Sequence, residues 1–280
     1  MRWWSTVLRV PTAEGDLYFK AVAPVHRFEA ALTARLFELQ PRRVTEVLDV
    51  DAERGWFLMR DAGTRLRELV ETPADLPHWE ALLPEYAQLQ IEVAPRAREL
   101  LELGTPDHRL AVLPEQLRAL AETDLRPLAI EALPRFEEMC RTLAAAGIPE
   151  TIQHDDLHDG QVFFREGRYL FFDWGDSCVS HPFHSLTVIL RSIAWKLDLP
   201  PGGRELERLR DAYLEPFGAD PELADLGYRT GTVARALAWH RMVAAREPQF
   251  IDEDDASSPA YGLKLFLGGG PIGSWREVGS

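Results

Sequence analysis

Residues 153–177 read QHDDLHDGQVFFREGRYLFFDWGDS, and five aspartates and two histidines crowd into them. The runs QVFF and YLFF on either side of REGR have the pattern of a β hairpin. Paired antiparallel across that turn, Gln161 falls opposite Phe172, beside Asp173. The loop before Gln161 and the acid after Phe172 then meet at one end of the hairpin. Asp156 and Asp173 therefore face one small volume from two strand ends. Hard oxygen donors so arranged suit Mg²⁺, which takes one or two carboxylates together with phosphate oxygens. A carboxylate nearby that need not hold metal is free to accept a proton from a substrate.

Taken singly, the neighbouring residues have plainer readings. Asp155, Asp159 and Asp176 read as solvated loop carboxylates, with Asp155 pointing to solvent. His158 and His181 read as hydrogen-bonding braces of their loops. Phe171, Phe172 and Trp174 read as core residues that anchor the hairpin.

Toward the N-terminus, Trp4 to Val10 alternates, PTAEGD supplies a turn, and LYFKAV follows. This is a hairpin whose second strand puts Tyr18, Lys20 and Val22 on one face. Pro24 opens a helix with Phe28, Leu32, Leu36 and Leu39 at helical spacing. The stretch VTEVLDVDAERGWFLMRD reads as two more strands, and Met59 to Gly63 as a short hinge. Beyond it the pattern is helical from Leu66 to about Gly147, and again from His184. From Ile251 the tail is acidic, then rich in Gly, Ser and Pro, so a loop and a weakly ordered end are expected. The expected fold class is α+β, with a β-rich unit over residues 1–62 and a mostly helical unit over 63–280. A cleft at the hinge between them is the natural ligand site.

Bulk properties narrow the partners. A net charge of −14 argues against nucleic acid, whose phosphates call for clustered Lys and Arg. No apolar run is long enough to span a membrane, and the N-terminal residues lack the form of a signal peptide. Two cysteines make no disulfide framework. A cytoplasmic protein is expected. Of the basic residues only Lys20, Lys196 and Lys264 are lysines. In a chain that so prefers arginine, a retained lysine suggests a need for a compact ammonium.

The 153–177 segment resembles the catalytic and metal loops of the aminoglycoside phosphotransferase family, which has a protein-kinase-like fold. That pattern is His-x-Asp, four residues, Asn, and then a hairpin ending in an aspartate before Trp or Phe. His154, Asp156, Gln161 and Asp173 fill those positions. The resemblance implies ATP and Mg²⁺ as cofactors, and γ-phosphoryl transfer to a hydroxyl of a small molecule. Asp156 would be the catalytic base, and Gln161 and Asp173 the metal ligands. Lys20 would grip the α- and β-phosphates, paired with Glu29 or, failing that, Glu38. Backbone groups of the hinge from Met59 to Gly63, with Met59 and Asp61 named for the contact, would meet the adenine. The net charge and the acid-rich 251–255 run favour a cationic or neutral acceptor.

Three features depart from the pattern. Gln161 replaces Asn, and Ser185 in HPFHSL stands where the family often has Asp. No Gly-rich loop precedes Lys20, so the small lobe reads as truncated at its start. These departures keep two other readings in play, a nucleotide-binding pseudokinase and a metal-dependent hydrolase.

Overall fold

The strand-forming runs on either side of the TAEG turn pair as expected in the computed structural model, which describes residues 4–246 and 253–274. Strands β1 (Ser5–Thr12) and β2 (Gly15–Val22) are antiparallel, with Thr12 opposite Gly15 and Lys20 opposite Val7. Helix α1 (Phe28–Leu39) follows and buries Phe28, Leu32 and Leu36. Strands β3 (Val47–Asp51) and β4 (Trp56–Arg60) complete a four-stranded sheet of order β1-β2-β4-β3. Val22, Ala30, Phe57 and Met59 form the small core between this sheet and α1. Alternation along β2 turns Lys20 into that buried side with Val22, which is why so polar a residue lies inside.

After the hinge, β5 (Thr64–Arg65) leads into a mostly helical region. Its elements are α2 (Pro77–Val93), α3 (Ala97–Glu102), β6 (Asp107–His108), α4 (Leu113–Ala119), α5 (Arg126–Ala145) and β7 (Thr151–Gln153). The hairpin β8 (Val162–Arg165) and β9 (Arg168–Phe171) comes next, then β10 (Cys178–Ser180). Helices α6 (Leu186–Lys196), α7 (Arg204–Leu214), α8 (Pro221–Ala244) and α9 (Glu253–Gly268) close the chain.

Two apolar cores hold this region. One joins Trp79, Leu83 and Tyr86 of α2 to Phe171 and Trp174 around the hairpin and to Ile189 and Leu190 of α6. The other joins α4, α5, α8 and α9 through Leu117, Phe136, Val233 and Phe266. Each such side chain contributes about 1.5–3 kcal/mol on burial, so the site rests on a stiff base.

The segment that decides the fold is pinned at both ends. Val162 pairs with Phe171, and the Phe172 amide donates to the Gln161 carbonyl at 2.9 Å, which is the register expected from sequence. Below it, Gln153 of β7 pairs antiparallel with Cys178 of β10. At the hinge, Gly63 has φ of 95°, and a Cβ there would lie 2.7 Å from the Phe164 carbonyl oxygen. Only glycine lets β5 settle against β8, with Thr64 opposite Phe164.

The tail differs from expectation. Residues 251–252 and 275–280 lie outside the described residues, but Glu253–Gly268 is a helix, not a loop. Leu263 and Phe266 are buried in the second core. A Cβ at Gly262 would stand 2.8 Å from the Thr232 carbonyl oxygen. The glycine is there so that α8 and α9 can cross closely. The two- and three-residue strands β5, β6, β7 and β10 are too short to leave a period in the sequence. Among the described residues no helix is long and apolar enough to cross a membrane.

Candidate active site

Lys20 is the hinge of the charge arrangement. Its ammonium donates to Glu29 Oε1 at 2.5 Å and also to the Asp173 carboxylate. Lys20 and Glu29 are each 1% exposed, while the Asp173 side chain keeps 30% of its surface open. Burial pushes the Glu29 carboxyl up to about 7, against the pull of Lys20. Burial acts the same way on Asp173, but there the lysine wins and holds the carboxyl below its usual value. The ammonium also sits 5.2 Å from the Phe172 ring centroid. Glu29 reaches this place because residue 175 is glycine: a Cβ there would be 2.9 Å from Glu29 Oε2. Glu38, the fallback partner, instead pairs with Arg35 at the surface.

Asp156 lies in the loop between β7 and β8, with a quarter of its side chain open. The loop is braced from below. The ring of His154 is fully buried, and its Nε2 donates to the Phe172 carbonyl at 2.7 Å. Its Nδ1 accepts from the Asp156 amide at 3.4 Å. Burial lowers this histidine to about 4, so it is neutral and structural. Tyr86 Oη accepts from the His154 amide at 3.0 Å and contacts the Ser185 hydroxyl at 3.2 Å. The serine at the departing position thus supports the loop through Tyr86. The amide Nε2 of Gln161 donates to Asp156 Oδ2 at 3.4 Å. His158 and His181 brace their loops as expected, accepting from the Gly160 and Phe183 amides.

Two of the supposed solvated carboxylates are not solvated. Asp155 has φ of 59° and is 4% exposed. It accepts from Gln153 Nε2 at 3.1 Å and from Arg235 Nη1 at 3.2 Å. Asp159 is bound by Lys196 of α6 and lies 3.4 Å from Arg67, with only 14% of its side chain open. Buried carboxylates must be paired, and both partners come from far along the chain. Asp176 is half-buried and lines the cavity beside Asp173.

Sequence reading missed Arg235. It projects from α8, and its second nitrogen donates to Asp156 Oδ1 at 3.0 Å, so one guanidinium spans both loop aspartates. Its plane lies 5.4 Å from the Trp239 ring. Arg235 shares a helix with other charged residues, Arg229 and Arg241 among them, so nothing in the sequence singled it out. Burial pushes Asp156 up to about 6, opposed by Arg235 and aided by the charge of Asp176.

These residues line one cavity of about 500 Å³, which takes in Lys20, Asp156, Gln161, Asp173, Asp176 and Arg235. A smaller space of about 270 Å³ opens at the hinge between Tyr18, Met59, Ala62, Phe163 and Phe172. Met59 is buried, and Asp61 uses its carboxylate to accept from the Gly63 amide at 2.9 Å. Asp173, Asp176 and Gln161 all line the first cavity, and hard oxygens of that kind are what a divalent ion takes. Among the described residues no three acidic, histidine or cysteine side chains gather to hold one by themselves.

A twisted sheet carrying a lysine, a helix glutamate that pairs with it, and a hairpin-borne aspartate that closes the triad define a protein-kinase-like fold. The chain belongs to the phosphotransferase enzyme family, whose sequence profile matches residues 2–226. Similar solved structures include an ethanolamine kinase from Plasmodium vivax, 13% identical, with a TM-score of 0.66 over 94% of this chain and 79% of that one. A choline kinase from Streptococcus pneumoniae is 12% identical, with a TM-score of 0.64 over 94% and 88% of the two chains. An amicoumacin kinase solved in complex with AMP-PNP, Ca²⁺ and Ami is 13% identical, with a TM-score of 0.61 over 99% and 89% of the two chains. No protein of curated function matches the sequence.

Proposed function

We propose that this protein is a small-molecule kinase that moves the γ-phosphoryl group of ATP to a hydroxyl, with residues 1–62 as nucleotide lobe. The observation that carries this reading is the Lys20 ammonium, shared between Glu29 and Asp173 across 153 residues of sequence, on the wall of a cavity that also holds Asp156. Such pairs form in kinases to fix phosphate and metal for transfer. Mg²⁺ bound through Asp173 and the amide oxygen of Gln161 would supply neutralisation of the charge on the transferring phosphate.

The rest is positioning. Lys20 holds phosphate oxygens, and Glu29 keeps that lysine extended. The slot beside Met59 orients the adenine against hinge backbone from residues 59–63. Asp156 aligns the acceptor hydroxyl and takes its proton, while Arg235 keeps the carboxylate in place. A supply of ATP implies the cytoplasm.

Calorimetric titration of ATP with and without Mg²⁺ tests this. Asp173→Ala should abolish the Mg²⁺-dependent part of the affinity, and unchanged affinity in a folded variant would sink the assignment. One observation favours a second reading, a nucleotide-binding pseudokinase: the Gln161 amide nitrogen is turned toward Asp156. ATP binding without ADP release across a broad set of alcohols would select it.

A further inference from the structure

A second cavity, of about 480 Å³, shares Asp156, His158, Arg235 and Trp239 with the first and reaches outward between α6, α8 and α9. On the kinase reading above, the acceptor must lie here, because this is the open space on Asp156 that Lys20 and Asp173 do not line. Its charges are unusual for a site that takes an ammonium compound. Apart from Asp156, the described lining residues include no carboxylate, and Asp156 is already held by Arg235.

Arg191 is the second cation on this wall. It is half-buried, its Nη2 donates to Tyr261 Oη at 3.1 Å, and its guanidinium lies 5.2 Å from that ring. Its buried Nε has no acceptor, and among the described residues no carboxylate comes within ion-pair distance. A guanidinium on a cavity wall with no carboxylate partner favours an oxyanion there, which its outer nitrogens can meet by charge-assisted hydrogen bonding. The other walls are flat and aromatic: Trp195 is 67% exposed at the mouth, and Trp239 lies deeper against Arg235. Ser192, Ser258 and Thr232 add hydroxyls.

We propose that the acceptor is a flat, aromatic hydroxyl compound that carries an anionic group, bound by Arg191 and stacked on Trp195 and Trp239. It is not a polycation. The net charge of −14 suggested the opposite, but surface charge is screened within about 8 Å at physiological salt, whereas Arg191 lines the cavity itself.

Three matched probes test this on the full-length protein: meta-hydroxymethylbenzoate, the corresponding neutral benzyl alcohol, and the corresponding benzylamine. Their affinities are measured by tryptophan fluorescence and calorimetry, first without nucleotide and then with ATP and Mg²⁺. The benzoate should bind about tenfold more tightly than the amine, as expected for one charge-assisted contact. Arg191→Gln should erase that preference, and Arg191→Lys should keep part of it. Equal or tighter binding of the amine, a preference that survives Arg191→Gln, or no binding by any probe would overturn the proposal. The kinase reading fails separately. A benzoate preference without any ADP release leaves the anionic pocket standing and removes phosphotransfer.

Discussion

The two sides of Asp156 are built on opposite principles. Toward Lys20 the site is a closed knot of charge: an ammonium and a carboxylate that are each 1% exposed, with a third group that shields them. Toward α6 and α9 it is an open wall, ending in a tryptophan with 67% of its surface in solvent. On the proposed function the first side holds phosphates, whose charge and spacing do not vary, and its residues are buried and paired accordingly. The second side takes the acceptor. Stability and binding are therefore coupled on the first side and separable on the second.

Breaking the knot should have the largest effect. Lys20→Ala strands Glu29 in the small core without its cation, a change that typically costs about 3–5 kcal/mol. Guanidinium unfolding should register that loss, and ATP titration should find no binding. The double variant Lys20→Met with Glu29→Gln removes both charges and should recover most of the stability but none of the nucleotide affinity. A Lys20→Ala protein of normal stability would mean the knot is not the support described.

Asp156→Asn comes next. It keeps the shape and removes the basicity, so turnover should fall by about 10²–10⁴-fold while ATP binding survives. Asp155→Asn is no silent control, because Asp155 is buried on Arg235. It should cost stability and loosen Arg235, with a smaller loss of turnover than Asp156→Asn. Equal effects on turnover would place the base wrongly.

The pH profile separates Arg235 from a merely structural role. Asp156 must be ionised to act, and its carboxyl is raised to about 6, so kcat/KM should climb with pH and level off above that value. Stability runs the other way. The folded carboxyl holds its proton to higher pH than the unfolded one, so this group's contribution is present below about pH 4 and is lost as pH rises through about 6. Arg235 lowers the Asp156 value, and Arg235→Gln should move the kcat/KM limb to higher pH. A limb that stays in place would reduce Arg235 to packing.

How much could be read beforehand follows the same division. His154, Asp156, Gln161 and Asp173 stand within 20 residues of one another and on a hairpin whose register the apolar runs dictate. Lys20 stood out as a retained lysine on a strand face it shares with Tyr18 and Val22, whereas Glu29 was legible only through the family resemblance. Arg235 and Arg191 were not, since a helix arginine carries no local mark of what it meets 80 residues away in sequence. Asp155 was misread for the same reason: its partner was invisible, so solvent seemed the default. The α9 helix was missed because Pro259 and Gly262 signal a loop wherever the crossing helix that demands the glycine is unseen.

The smallest effect on stability should come with a clear effect on binding, at Trp195. Its ring is mostly in solvent and anchors no core, so Trp195→Ala should change unfolding free energy by no more than about 0.5 kcal/mol. If the ring is a platform for the acceptor, losing it removes a stacking contact of about 0.5–1.5 kcal/mol, hence a rise of roughly 2- to 12-fold in acceptor KM. Trp195→Phe should restore part of that, because a phenyl ring still offers a face. Nucleotide affinity, set on the other side of Asp156, should not move. A Trp195→Ala protein that unfolds early would show the outer wall to be as stability-critical as the Lys20 knot, and the contrast between the two sides would fall.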